Sequence, residues 1–131
     1  MRLRNVHNDK RGEIHVIEEF LKYNKEITLI HTNKGFARGG CNHELNDEYH
    51  IVVEGQMKYI LGNNSPHPAH PEGVETYLLS KGHILRIPRN TPHYCVALED
   101  SITIEFGTTP EEQGTKYAKF RKIVEEINER N

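Results

Sequence analysis

The 131 residues include 35% hydrophobic and 27% charged side chains and carry a formal net charge of −2, a balance that fits one globular domain and gives no electrostatic reason to bind nucleic acid or an anionic membrane. No window approaches the roughly 20 apolar residues of a membrane span, and the N-terminal MRLRNVHNDK has no apolar signal-peptide stretch, so a cytoplasmic location and no membrane partner are expected. Two cysteines, Cys41 and Cys95, are too few for a disulfide framework.

In chain order, segments 13–18 (EIHVIE), 26–32 (EITLIHT), 49–54 (YHIVVE) and 56–61 (QMKYIL) carry β-branched or aromatic residues with partial alternation, the pattern of half-buried strands. Segments 74–79 (VETYLL), 83–87 (HILRI), 93–98 (HYCVAL) and 101–106 (SITIEF) repeat it. Turn chemistry separates them at Gly12, Gly39-Gly40, Gly55, Gly62-Asn63-Asn64, Gly82, Pro88 to Pro92 and Glu99-Asp100. Short, evenly spaced strands with almost no helix between them predict an all-β sandwich or barrel. Residues 62–73 (GNNSPHPAHPEG) are too rich in Pro, Asn and Gly for a strand and predict a long loop, placed to act as a lid.

The C-terminus departs from this rhythm. Thr109-Pro110-Glu111-Glu112 has a capping-box pattern with Pro at the first helical position, while Gly114 shifts the start toward Thr115. Tyr117, Phe120, Val124 and Ile127 then recur at helical spacing, predicting an amphipathic helix over about 110–130. Its apolar face is expected to pack on the barrel or, with exposed edge strands near the N-terminus, against a second copy in a homodimer.

Two segments carry the chemistry. The first runs Gly39-Gly40-Cys41-Asn42-His43-Glu44-Leu45-Asn46-Asp47-Glu48 and continues to Gly55; the second is Gly82, five residues, then Pro88-Arg89-Asn90-Thr91-Pro92-His93. Cys41 and His43 are two apart, so on a strand both face the same way. His93 opens another strand after a Pro-bounded turn, and a barrel lets such side chains converge where water is largely excluded. A thiol, two imidazoles and a carboxylate suit one divalent metal: Fe, Zn, Ni, Mn or Cu. His50 shares side parity with Glu48 and is placed to line the same pocket, whereas Cys95 reads as core.

The two segments resemble the paired cupin motifs, spanning 39–55 and 82–93, with Cys41 in place of the first His and Asn90 in place of the Gly after Pro. Asn tolerates a left-handed backbone, so that turn keeps its geometry. The resemblance implies a single cupin domain over 1–131, a double-stranded β-helix or jelly-roll barrel closed by the C-terminal helix. It also implies Cys41, His43, Glu48 and His93 as metal ligands.

The run Arg38-Gly39-Gly40-Cys41-Asn42-His43-Glu44 further resembles the RGxHAHK motif of the dTDP-sugar 3,4-ketoisomerases and WxcM-like cupins. That implies an isomerase or epimerase acting on a nucleotide-linked keto sugar in polysaccharide biosynthesis. His43 and His93 would move protons, and Arg38 and His50 would bind substrate. Cys41 and Glu44 stand where that family has His and Lys. Two alternatives stay open: a metal-dependent oxygenase or isomerase on a small polar metabolite, and a non-catalytic sugar-binding cupin.

Overall fold

The computed structural model describes residues 3–23, 25–62, 73–108 and 114–131. Strands β1 (Leu3–Asp9) and β2 (Gly12–Ile17) are followed by a 3-10 helix (Glu18–Tyr23), then β3 (Ile27–Thr32), β4 (Ala37–Asn42), β5 (Glu48–Glu54) and β6 (Gln56–Gly62). After these come β7 (Val74–Ser80), β8 (Ile84–Ile87), β9 (His93–Ala97), β10 (Ser101–Gly107), the two-residue β11 (Thr115–Lys116) and α1 (Ala118–Glu129). The eight alternating segments therefore form strands within a residue or so of their expected ends. The expected loop over 62–73 and the capping-box pattern at Thr109 to Glu112 lie almost wholly outside the described residues.

The strands form two antiparallel sheets, in the orders β1-β2-β3-β10-β5-β8 and β11-β4-β9-β6-β7. Alternation decides what lies between them. Met57, Tyr59 and Leu61 of β6, Val52 of β5, Cys95 and Ala97 of β9, Leu79 and Ile87 form one buried apolar cluster. The same inward parity places Glu48 and His50 at the other end of β5, and His93 at the start of β9. The interior therefore runs from an apolar floor to a polar mouth along the same strands.

Three elements differ from expectation, each for a local reason. β1 (LRNVHND) lacks an apolar face because all seven of its residues are exposed. β4 (ARGGCN) contains the Gly39-Gly40 pair that reads as a turn, yet the pair lies inside the strand. The β4–β9 register shifts between Gly39 and Cys41, with φ of 104° and 90° at the two glycines. A Cβ at Gly39 would come within 2.9 Å of the Tyr94 backbone, so this bulge requires glycine. The third is the segment before α1, which is extended rather than helical. Thr115 and Lys116 pair with Asn42 and Cys41, and the helix begins only at Ala118.

This C-terminal segment closes the outer edge of β4. Asn128 Oδ1 accepts from the Ala37 N–H at 2.7 Å, and its Nδ2 donates to the Ala37 carbonyl at 3.0 Å, as a neighbouring strand would. Arg121 Nη1 donates to the Gly39 carbonyl at 2.8 Å, and the Tyr117 N–H donates to that of Gly40, also at 2.8 Å. The apolar face of α1 is used here too, with Phe120 and Val124 buried in their own chain. That face is consequently not available to a second copy, which leaves the exposed β1 edge as the remaining support for the expected homodimer.

Two outcomes follow from the packing. Ala37 is fully buried, so Asn128→Ala orphans its N–H and carbonyl and should lower unfolding free energy by about 2 kcal/mol in urea titration; a loss below about 0.5 kcal/mol would contradict the edge-closing role. Burial, with the Glu105 carboxylate adding to it, pushes the Cys95 thiol up to about 12. Its thiolate fraction at neutral pH is then about three orders of magnitude below that of a free cysteine. One thiol, that of half-buried Cys41, should label in the native protein and both after denaturation, as counted by mass spectrometry.

Candidate metal centre at the barrel mouth

Glu48 opens β5 and directs its carboxylate at three imidazoles. His43 Nε2 lies 3.0 Å and His93 Nε2 3.1 Å from Glu48 Oε1, while His50 Nε2 lies 3.4 Å from Oε2. His43 sits just past the end of β4, not on it, because the bulge and the loop up to Asp47 re-aim the chain. That loop is pinned to the motif-2 turn: the Asn90 N–H donates to the His43 carbonyl at 2.7 Å, and the Arg89 N–H donates to Asp47 Oδ1 at 2.9 Å. Asn90 has φ of 60°, the left-handed conformation expected of the residue in glycine's place.

The orientation of each ring is set from behind. His93 Nδ1 donates to the Thr91 carbonyl at 2.9 Å, which leaves its Nε2 as the lone-pair nitrogen facing Glu48. On the other side, Gly114 packs closely against the His43 ring; a Cβ there would meet Cε1 at 2.8 Å and Nε2 at 3.0 Å.

Glu48 Oε1 is buried and touches two imidazole nitrogens, yet it has no aligned hydrogen-bond partner among the described residues, and neither does His43 Nδ1. The distances are those of hydrogen bonds but the angles are not. Donor atoms about 3 Å apart with no aligned hydrogen bond between them match the spacing of ligands at about 2.1 Å from one ion. His43, Glu48 and His93 each offer one donor atom within 4.8 Å of the others. An anionic carboxylate between two imidazoles therefore fits a divalent metal, such as Fe, Zn, Ni or Mn, better than it fits a closed hydrogen-bond network.

Burial alone would raise the Glu48 pKa, but the contacts from His50 and His93 outweigh it and hold the carboxyl well below the usual range. Burial likewise works against a charged His50, and the Glu105 and Glu48 carboxylates outweigh it, raising the His50 pKa above its ordinary value.

Three expected site residues take other roles. Cys41 is not in the donor group around Glu48. The bulge sets it opposite His93 on one side and Lys116 on the other, and burial raises its thiol pKa against the opposing pull of Arg121. Arg38 crosses the interior instead of facing a ligand. Its Nε donates to Thr32 Oγ1 and its Nη2 to the His31 carbonyl, both at 2.9 Å, and burial lowers its pKa. It ties the two sheets together and has little surface to offer a phosphate. His50 is buried with both ring nitrogens engaged, so it supports the site without lining it. Sequence reasoning passed over Glu105, Tyr59 and Thr91. Only Glu105 left a signal, as a carboxylate sharing side parity with Thr103 on an otherwise ordinary strand.

No protein-family model and no curated protein sequence matches the chain. Solved structures do. The capsular polysaccharide assembling protein CapF from Staphylococcus aureus superposes with a TM-score of 0.67 at 16% identity, over 86% of this chain and 30% of its own. Bacillus subtilis oxalate decarboxylase, studied for its Mn(II) centres, gives 0.70 at 13%, over 89% and 30%. KdgF from Halomonas sp. gives 0.64 at 23%, over 82% and 88%. The chain thus spans under a third of the first two proteins and nearly the whole of the third. Identities this low speak to architecture alone, and the shared architecture is the expected cupin-type fold, an all-β jelly-roll barrel followed, among the described residues, by a C-terminal helix.

Proposed function

We propose that the chain is a metal-dependent small cupin enzyme, with His43, Glu48 and His93 holding one divalent ion and a small polar metabolite as substrate. The observation that carries this reading is Glu48 Oε1, in contact with two imidazole nitrogens and hydrogen-bonded to neither. A bound ion would supply Lewis-acid polarisation of a substrate oxygen. The residues of the chain have separate tasks. Glu48 supplies the negative charge, Thr91 fixes the tautomer of His93, and the motif-2 turn fixes His43 through Asn90. The apolar floor below them excludes water, which strengthens each electrostatic contact at the mouth.

A metal-free acid–base reaction on a nucleotide-linked keto sugar is the second reading. The Thr91 contact favours it, because it leaves His93 Nε2 basic. Arg38 weighs against it, since its guanidinium is committed to Thr32 and His31.

Elemental analysis of untagged protein purified without chelator should find near-stoichiometric metal, falling below about a tenth of that in His43→Ala and in His93→Ala. A well-folded metal-free protein, or undiminished metal in both variants, would sink the reading. The chelated protein should incorporate no solvent deuterium into dTDP-, UDP- or GDP-4-keto sugars; incorporation at catalytic rates would transfer the assignment to the keto-sugar isomerases.

A further inference from the structure

Behind the three candidate ligands lies a second group of polar side chains, Glu48, His50 and Glu105, also within ligand-like distance of one another. Its geometry argues against a second ion. His50 Nε2 faces Glu48 Oε2 at 3.4 Å, and His50 Nδ1 lies 3.1 Å from Glu105 Oε1 and 2.9 Å from the Tyr59 hydroxyl. Each nitrogen of the ring thus already faces protein oxygens, Glu48 on one side and Glu105 with the Tyr59 hydroxyl on the other. Glu105 is itself fixed, its Oε2 accepting from Thr103 Oγ1 at 3.2 Å.

Two facts say what this arrangement does. The His50 side chain is only 4% exposed, so no substrate reaches it directly. Its contact with Glu48 uses Oε2, the oxygen that does not face His43 and His93. Holding one oxygen of a carboxylate from behind fixes the direction of the other. A free carboxylate turns about its last torsion through a broad, roughly two-fold well; one held at Oε2 keeps Oε1 pointed into the donor group.

We infer that His50 is the positioning residue of the metal centre, orienting Glu48 through Oε2 and held in turn by Glu105 and Tyr59. The inference rests on the metal reading above and deepens it: the ion's affinity is set by a buried relay that does not touch the ion. Removing such an outer partner typically weakens metal binding by about 10–100-fold.

Titration with Co(II), followed by its visible absorption, separates the possibilities without any substrate. Wild type should bind one Co(II) with a defined absorption band. His50→Leu, which removes the contact to Oε2, should weaken the Kd by about 10–100-fold and shift the band. His50→Gln keeps a side-chain N–H and should recover a substantial part of that loss, which a mere packing role would not predict. If His50→Leu does not fold by circular dichroism, the isosteric Glu105→Gln decides instead: a Kd weakened about threefold or more supports the relay, and an unchanged Kd overturns it. Wild-type binding with an unaltered Kd and band in a folded His50→Leu overturns the positioning role alone. A wild type that binds no Co(II) overturns it together with the metal reading.

Discussion

A carboxylate taken into a protein interior must be compensated, and the mouth of this barrel is organised around that requirement at Glu48. Three histidines surround it from three directions, and each is carried by a different part of the fold. His50 comes from the same strand, His93 from the strand that opens motif 2, and His43 from the loop beyond β4. No single element could place them. The β4 bulge, the left-handed Asn90 and the Pro-bounded turn are the backbone devices that bring the rings to one point. Misplacing any of them leaves a buried anion with fewer partners, which is costly.

The same logic separates roles that similar residue types would suggest are shared. Arg38 and His50 both lie in the interior and both look suited to substrate, but each spends its polar atoms on the protein. Arg38 joins β4 to β3, and His50 joins β5 to β10 through Glu105. What remains turned toward the mouth is one oxygen of Glu48 and one nitrogen each of His43 and His93. Arg38, His50 and Glu105 have already spent their polar atoms on the protein, which leaves the chemistry to the three residues at the mouth.

The strand pattern was readable because alternation is a local property, and eight segments show it. The convergence of His43, Glu48 and His93 was also readable, through motif spacing. Cys41 was expected to face the same way as His43, but β4 ends at Asn42 and His43 lies beyond it, so the two-apart rule does not carry across that boundary. Glu105 and Tyr59 were missed because their importance arises only when β10 and β6 are brought beside β5, a tertiary event with no spacing signature. Asn128 was invisible for the same reason: nothing in a helical pattern shows that an amide will take the place of a strand.

That substitution of an amide for a strand has a temporal consequence. Ala37 and Asn128 are 91 positions apart, so the outer edge of β4 cannot close until residues 117–128 have been synthesised. Every other long strand of that sheet can find its partner earlier. During synthesis the strand leading into His43 therefore keeps this edge open until α1 is made, with backbone groups available to a wrong neighbour. The strand that carries the chain into the candidate metal centre is thus completed only after His43, Glu48 and His93 have all been made.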